Sequence, residues 1–249
     1  MRTITFSSIK GGTGKSSLTI LSANLLASRG YRVLVIDLDV QNSTTFYYLD
    51  QAEDVEQRNI ARALQTQHLA LNILASNKQN IDLIGSCFEL VDLRAITEKR
   101  LVHLLPEVST FYDYCIIDSA PTYDNLVLNA INAADLIITP VAQAQFDYKS
   151  ALFLSTKLKG ETDKIPSWRL VFNSFKPVTT ENSLAAQYVA LFESSFANIL
   201  PVRIPYSTFV RQAIDMGVGI TPSKAKRKLY DSLHAFVDSI CSELSTLRS

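Results

Sequence analysis

One short stretch near the N-terminus constrains the fold more than any other part of the chain. Residues 10–16 read Lys-Gly-Gly-Thr-Gly-Lys-Ser and lie between a predicted strand at residues 2–8 and a predicted helix. The helix is indicated by leucines at positions 18, 21, 25 and 26, and Gly30 stands where a C-terminal cap is expected. A strand that runs through a glycine-rich turn into a helix is the first unit of a parallel α/β sheet.

The same alternation of strands and helices continues along the chain. Apolar strands of the kind buried on both faces are predicted at residues 32–36, 81–84, 114–117, 136–141, 168–172 and 199–204. Helices are predicted at residues 59–68, 101–108, 126–133 and 227–244. We therefore expect an α/β fold with a doubly wound, mostly parallel sheet flanked by helices, in a single domain over residues 1–249. Residues 50–58 are polar and are predicted to form an irregular surface excursion.

Composition excludes several classes of protein. Three scattered cysteines are too few for a disulfide framework, and Cys115 is predicted to be a buried apolar side chain. Lys plus Arg and Asp plus Glu are both 24, so net charge gives no argument for nucleic acid. No secretory signal or membrane-spanning stretch is recognisable, which leads us to expect a soluble cytoplasmic protein.

The glycine-rich turn has the chemistry of a phosphate-binding loop. Glycines let the backbone curl so that several N–H groups point into one concavity, and the helix N-terminus adds positive charge there. Lys15 can reach the β and γ phosphates of a nucleotide, and the Ser16 hydroxyl can ligate Mg²⁺. Ile9 stands where the pattern Gly-x4-Gly-Lys-[Ser/Thr] has its first glycine, so the match is a variant. The alternative is a glycine-rich turn that binds nothing.

Three carboxylates follow buried strands. Asp37 directly follows the strand at residues 32–36 and Asp39 comes two positions later. Asp118 directly follows the strand at residues 114–117. Ligands of doubly wound sheets bind beyond the carboxyl ends of the strands, where such carboxylates can hold Mg²⁺ directly or through water. The alternative is that each aspartate caps the following turn or helix.

The variant loop resembles the deviant Walker A motif of the ParA/MinD superfamily of P-loop ATPases, Lys-Gly-Gly-x-Gly-Lys-[Ser/Thr]. The resemblance implies an ATPase that forms a sandwich dimer with ATP and Mg²⁺, in which Lys10 reaches the nucleotide of the partner. Residues 37–41 resemble the switch I motif D-x-D-P-Q, with Val40 in place of proline, and residues 118–121 resemble the Walker B and switch II segment. Asp39 would then orient the attacking water while Asp37 supports the site, and hydrolysis would be slow without a partner protein.

The resemblance also assigns the nucleotide-binding residues. Asn173 matches an asparagine that reads adenine, and Pro205 and Tyr206 match a loop that flanks the base; since no guanine signature is present, ATP is favoured over GTP. The implied nucleotide-binding residues are Lys10, Gly11, Gly12, Thr13, Gly14, Lys15, Ser16, Ser17, Asn173, Pro205 and Tyr206. The implied metal-binding residues are Ser16, Asp37, Asp39 and Asp118, and the implied catalytic residues are Lys10, Lys15 and Asp39.

A basic segment near the C-terminus suggests a second ligand. It contains Arg203, Arg211, Lys224, Lys226, Arg227 and Lys228 against one acidic residue, Asp215. Such a segment suits the phosphate backbone of DNA, although the alternative is an ordinary solvated helix start. Short ParA proteins bind non-specific DNA as ATP dimers through this region, so the resemblance implies DNA partition over the nucleoid with a ParB-like activator. No helix-turn-helix precedes the loop, so binding to a specific operator is not expected.

Other members of the superfamily give the alternatives. A MinD-like protein would need a membrane-binding C-terminal helix with a basic polar face, whereas Asp238 and Glu243 lie on the polar side here. We therefore expect that helix to be packed and the protein not to bind membrane. Positioning of a protein assembly, and a regulatory scaffold that binds nucleotide but hydrolyses it negligibly, both remain open.

Overall fold

The computed structural model describes residues 1–49, 53–178, 180 and 183–247 of the chain. Within them, eight strands form one sheet in the order β3-β4-β2-β5-β1-β6-β7-β8. The strands are β1 (Arg2–Phe6), β2 (Val33–Leu38), β3 (Leu74–Ala75), β4 (Ile81–Ile84), β5 (Tyr114–Ser119), β6 (Leu136–Val141), β7 (Trp168–Phe175) and β8 (Ile199–Pro205). All neighbours pair in parallel except β3, which is antiparallel to β4. The predicted α/β fold is confirmed, while the two-residue edge strand β3 was not predicted.

Ten α-helices flank the sheet in the described part of the chain. They are α1 (Lys15–Ser28), α2 (Ser43–Tyr48), α3 (Glu53–Gln57), α4 (Ile60–Thr66), α5 (Arg100–Leu104), α6 (Asn125–Ala133), α7 (Gln145–Glu161), α8 (Leu184–Ser195), α9 (Thr208–Asp215) and α10 (Arg227–Thr246). The helix predicted at residues 101–108 is interrupted, because α5 passes into a 3₁₀ turn with Pro106 in its first turn. Part of the predicted irregular excursion is helical, as α3, and residues 50–52 lie outside the described residues.

Helices cover both faces of the sheet, which explains why its central strands are apolar throughout. All six residues of β2 are buried, and α1 and α10 pack on one face of the sheet. The other face is covered by α4 and α6 at one end and by α7 and α8 at the other. The carboxyl ends of the parallel strands therefore meet at one open edge.

The C-terminal helix is packed, as predicted. Its apolar side chains, Leu229, Leu233, Phe236, Val237, Ile240 and Leu244, are all buried against the sheet and α1. That face of α10 is consequently not free to enter a lipid surface. Within the described residues no helix combines the length and the apolar character that spanning a bilayer requires. Cys115 is buried as expected, and the three cysteines are not paired in disulfides.

Candidate nucleotide-binding site

The loop between β1 and α1 has the backbone that its glycines predict. Gly12 and Gly14 adopt positive φ angles of 75° and 95°, which L-residues rarely adopt. A Cβ atom built on Gly14 would overlap with Nδ2 of Asn173, so a side chain there is excluded by space as well as by conformation. Gly14 is also the N-cap residue of α1. The first backbone N–H groups of this helix are thus presented at the carboxyl edge of the sheet.

Lys15 is buried inside this loop. Its Nζ donates one long hydrogen bond of 3.4 Å to the carbonyl oxygen of Lys10. Burial lowers the pKa of Lys15, and the nearby charges of Asp118 and Asp39 offset this in part. The Thr13 hydroxyl is also buried, and among the described residues it has no hydrogen-bond partner. These under-satisfied donors fit an anionic ligand that would accept their hydrogen bonds.

Asp37 and Asp118 lie directly opposite each other on β2 and β5. Both are fully buried. Burial and, second, the charge of Asp118 raise the pKa of Asp37 to about 7, against the hydrogen bonds from Asp39 and Thr45 that lower it. Burial likewise raises the pKa of Asp118 to about 6. Two carboxylates brought this close without a cation disfavour full ionisation of the pair.

The hydrogen bonds of the two carboxylates differ. Both oxygens of Asp37 are used within the chain: Oδ1 accepts from the N–H of Asp39, and Oδ2 accepts from the N–H and hydroxyl of Thr45. Asp118 accepts at Oδ2 from the Thr44 hydroxyl at 2.7 Å, and its buried Oδ1 has no hydrogen bond of ordinary geometry among the described residues, although the Ser16 hydroxyl lies close enough to lower the pKa of Asp118. Asp37 therefore fixes the turn into α2, and Asp118 retains an oxygen for a cation.

Asp39 begins the turn that leads to α2 and is only partly buried. Its Oδ1 accepts from the N–H of Gln41 at 3.0 Å, and its carbonyl accepts from the N–H of Asn42 at 2.9 Å. Asn42 has a positive φ of 55° and is the N-cap residue of α2. This tight turn forms with Val40 in the position where the resembled motif has proline, so the substitution does not prevent it. The Asp39 carboxylate is partly exposed, and it lies close enough to Lys15 for its charge to raise the pKa of that lysine.

Lys10 has a partner that the sequence did not reveal. Its Nζ donates to Oδ2 of Asp147 at 2.5 Å, and the Asp147 side chain has no exposed surface. The other carboxylate oxygen of Asp147 accepts from the N–H of Ala142 at 3.0 Å. Asp147 lies in the first turn of α7, where an acidic side chain is favoured by the helix dipole. No local motif distinguishes it, because the pairing joins residues 137 positions apart.

A cavity of about 620 Å³ extends from the phosphate-binding loop along α1. It brings together most of the residues that the sequence assigned to the nucleotide: Gly12, Gly14, Ser16, Ser17, Asn173, Pro205 and Tyr206. Asn173 lies near the end of β7, and its Nδ2 donates to the carbonyl oxygen of Thr13 at 2.7 Å. Its amide is thereby fixed against the loop, at the side of the cavity where Pro205 and Tyr206 lie. Gly11 is exposed on the loop. A Cβ atom built on it would lie 4.0 Å from Pro121, in the segment at residues 118–121.

The first two residues of the basic segment already have other contacts. Arg203, on β8, is paired with Glu193 at 2.7 Å and lies over the Phe175 ring at 4.8 Å. Arg211, on α9, lines the nucleotide cavity and lies 3.5 Å from Asp215. The sequence analysis predicted neither of these contacts.

The last four residues of the basic segment lie together at the start of α10. Lys226 lies over the Phe209 ring at 5.0 Å, and Arg227 is paired with Asp231 at 2.9 Å. Lys224 and Lys228 are exposed. The cations at positions 224–228 are thus the compact part of the predicted DNA-binding segment.

Comparisons with known proteins identify a matching family model, similar sequences and a similar solved structure. A protein-family model described as an AAA domain matches residues 1–162. The cell division protein PomZ of Myxococcus xanthus is 29% identical over 250 residues, covering 96% of this chain and 77% of PomZ. The virulence plasmid ParA family protein pGP5-D of Chlamydia trachomatis is 28% identical over 96% of this chain and 90% of its own length. A solved plasmid partition protein of Borrelia burgdorferi, bound to AMPPNP, has a TM-score of 0.75 and 26% identity over 95% of this chain and 98% of that one.

Proposed function

The chain belongs to the ParA/MinD superfamily of P-loop ATPases, and on this basis we propose that it is a ParA-like ATPase that partitions DNA. In the proposal, residues 1–249 act as one ATPase domain that binds ATP and Mg²⁺, dimerises around the nucleotide and binds DNA non-specifically. A ParB-like protein would stimulate hydrolysis. The observation that carries the nucleotide-binding part of the proposal is the cavity that joins the phosphate-binding loop to Asn173, Pro205 and Tyr206.

The roles of the site residues follow from their environments. The loop amides and Lys15 would bind the β and γ phosphates, because Lys15 is buried with one long hydrogen bond. Ser16 and Asp118 would hold Mg²⁺, which when bound supplies charge neutralisation of the phosphates. Asp39 is partly solvated and lies beside Lys15, which suits a residue that orients water. Lys10 would leave Asp147 to reach the partner's nucleotide.

DNA binding is supported by the cations at positions 224–228, which lie together at the start of α10. A local cluster of this kind binds phosphate backbones through counterion release, without reading sequence. The similarity to pGP5-D, a plasmid ParA family protein, over nearly the whole chain supports the same function. With this function the protein would be cytoplasmic and associated with the nucleoid.

The test is binding to a random-sequence DNA duplex with ATP, with ADP and without nucleotide, each at 50 and 200 mM salt. We expect binding with ATP only, and an affinity that falls steeply with salt because several phosphate contacts release counterions. Lys15→Ala should abolish nucleotide binding and with it DNA binding. Lys228→Ala should weaken DNA binding while ATP turnover is retained. DNA binding that is independent of nucleotide, or absent in every state, would contradict the proposal.

Similarity to PomZ, a cell division protein, supports a second candidate function in which the same ATPase positions a protein assembly. Turnover of ATP without DNA binding would favour it. A regulatory scaffold with negligible hydrolysis is separated from both by Asp39→Ala. An ATPase should lose turnover in this variant and keep its ATP-dependent dimer, whereas a scaffold should show no kinetic change.

The role of Lys10 has its own test. Lys10→Ala should bind ATP and fail to dimerise, as measured by light scattering with ATP. A normal ATP-dependent dimer of this variant would show that the lysine does not act across the interface.

A further inference from the structure

The outer wall of the nucleotide cavity is formed by α9, which the sequence had not linked to the nucleotide. Val210, Arg211, Ile214 and Asp215 line the cavity opposite the start of α1. Their spacing places them on one face of the helix. Val210 and Ile214 pack against the core beneath the sheet, whereas Arg211 and Asp215 are exposed at the cavity mouth. The charged pair is therefore the part of α9 that a ligand in the cavity would meet.

Helix stability does not account for this pair. Asp215 is the last residue of α9, where the helix dipole disfavours an acidic side chain. The two side chains lie 3.5 Å apart and are 89% and 64% exposed, a geometry that contributes little to folding. In addition, a basic residue four positions before an acidic one is the weaker order for such a pair. Because both side chains are exposed, the carboxylate can bind a ligand at little cost while Arg211 stays beside it.

The chemistry of a nucleotide limits what Asp215 can contact. A carboxylate is repelled by phosphates, and the phosphates belong at the opposite end of the cavity, on Gly12, Gly14 and Ser16. The remaining donors of an adenine nucleotide are the ribose hydroxyls and the amino group of the base. The base side of the cavity is formed by Asn173, Pro205 and Tyr206 in the proposed function. Acidic side chains bind vicinal ribose hydroxyls in other nucleotide-binding sheets.

We propose that Asp215 binds the ribose hydroxyls of the nucleotide and that Arg211 positions its carboxylate. This inference rests on the proposed nucleotide binding and adds the residue that selects a ribonucleotide over a deoxyribonucleotide. It also assigns Arg211 to the nucleotide site, away from the DNA-binding segment.

The test compares equilibrium binding of ATP, 2′-deoxyATP and 3′-deoxyATP by calorimetry. A hydrogen bond to a charged group at an exposed site should give the unmodified protein a preference for ATP of about tenfold. Asp215→Ala should bind ATP about tenfold more weakly and each deoxynucleotide, which keeps one of the two hydroxyls, less than tenfold more weakly, so that the preference disappears. Asp215→Asn keeps an acceptor oxygen and should keep part of it. Arg211→Ala should reduce the ratio of ATP to deoxyATP affinity without abolishing it, which loss of a merely structural contact would not do.

A matched control exists in α10. Asp231 has the same residue type, the same i,i+4 arginine and a similar exposure, but does not line the cavity. Asp231→Ala should leave all three affinities unchanged.

Three results with the variants would overturn the inference. The first is an unchanged preference in Asp215→Ala. The second is an equal loss in Asp231→Ala. The third is a loss of discrimination between ATP and ITP, which differ at the base amino group, in place of discrimination at the ribose. If the unmodified protein binds ATP with no ribose preference, this inference fails alone, whereas absence of any nucleotide binding overturns the proposed function with it.

Discussion

The pair formed by Lys10 and Asp147 yields a prediction in which the two partners behave differently on removal. The Asp147 side chain is fully buried, while the Lys10 side chain is 36% exposed. In Lys10→Ala the buried carboxylate keeps only the N–H of Ala142 as a hydrogen-bond partner among the described residues. Leaving a buried charge uncompensated typically costs about 3–5 kcal/mol of unfolding free energy.

Asp147→Ala should cost less, although it deletes the same ion pair. The Lys10 ammonium can be hydrated where it stands, so the main loss is the acceptor of the Ala142 N–H. A lost hydrogen bond to a buried donor costs about 1–3 kcal/mol. The double variant should resemble Asp147→Ala, because no charge is then left buried. The lysine of the phosphate-binding loop is thus expected to matter more for folding than the aspartate that holds it.

Urea unfolding without nucleotide measures these differences, with thermal unfolding as a second readout. For a chain of this size 1 kcal/mol corresponds to about 2–4 °C, so Lys10→Ala should unfold roughly 10 °C lower. Lys157→Ala is the control, since Lys157 has the same exposure and a 2.6 Å bond to Glu161, which is itself 40% exposed. It should cost about 1 kcal/mol or less. The reasoning is refuted if Lys10→Ala lies within 1 kcal/mol of the unmodified protein, or if Asp147→Ala costs as much as Lys10→Ala.

Two further predictions concern the same edge of the sheet. Gly14→Ala should lower the free energy of unfolding in urea by roughly 2–3 kcal/mol, because Gly14 has a left-handed backbone and the new Cβ would displace Asn173. Gly30 has a φ of 89° but free space around it, so Gly30→Ala should cost only roughly 1–2 kcal/mol. Equal costs for the two variants would contradict this account. Since Asp37 and Asp118 have pKa values raised to about 7 and about 6, the folded state binds more protons than the unfolded state above pH 4, and stability of the nucleotide-free protein should fall as pH rises towards 7. Urea midpoints between pH 4.5 and 8 test this; Asp118→Asn should flatten the slope, and a midpoint that rises with pH would show that the carboxylates are not buried together.

The parts of the site that sequence could predict are encoded locally. Gly12 and Gly14 were expected to provide backbone that other residues do not adopt, and both have positive φ. Asp37 and Asp118 were expected at neighbouring strand ends because their strands read as buried, and they lie directly opposite in the sheet. In each case the residue type and its place beside an apolar strand were sufficient.

The parts that sequence missed depend on contacts between distant segments. Asp147 meets Lys10 only because β1 and β6 are neighbours in the sheet, so that their following loops converge. Arg211 stood in a basic run, but α9 turns it towards the nucleotide cavity. A basic run in the sequence shows how many cations are present, but it does not show on which surface the helices and strands of that run place each of them.

The electrostatics of the free site limit which ligand it is built to receive. Burial lowers the pKa of Lys15, and burial raises those of Asp37 and Asp118, so each group resists the charged form it would need for binding. A phosphate near Lys15 favours its charged form, and a cation near Asp118 favours the carboxylate. A lone anion would relieve the lysine and increase the repulsion on the carboxylates, whereas a lone cation would do the opposite. Only a ligand that brings both charges relieves all three groups together, and a nucleoside triphosphate bound with a divalent cation is such a ligand.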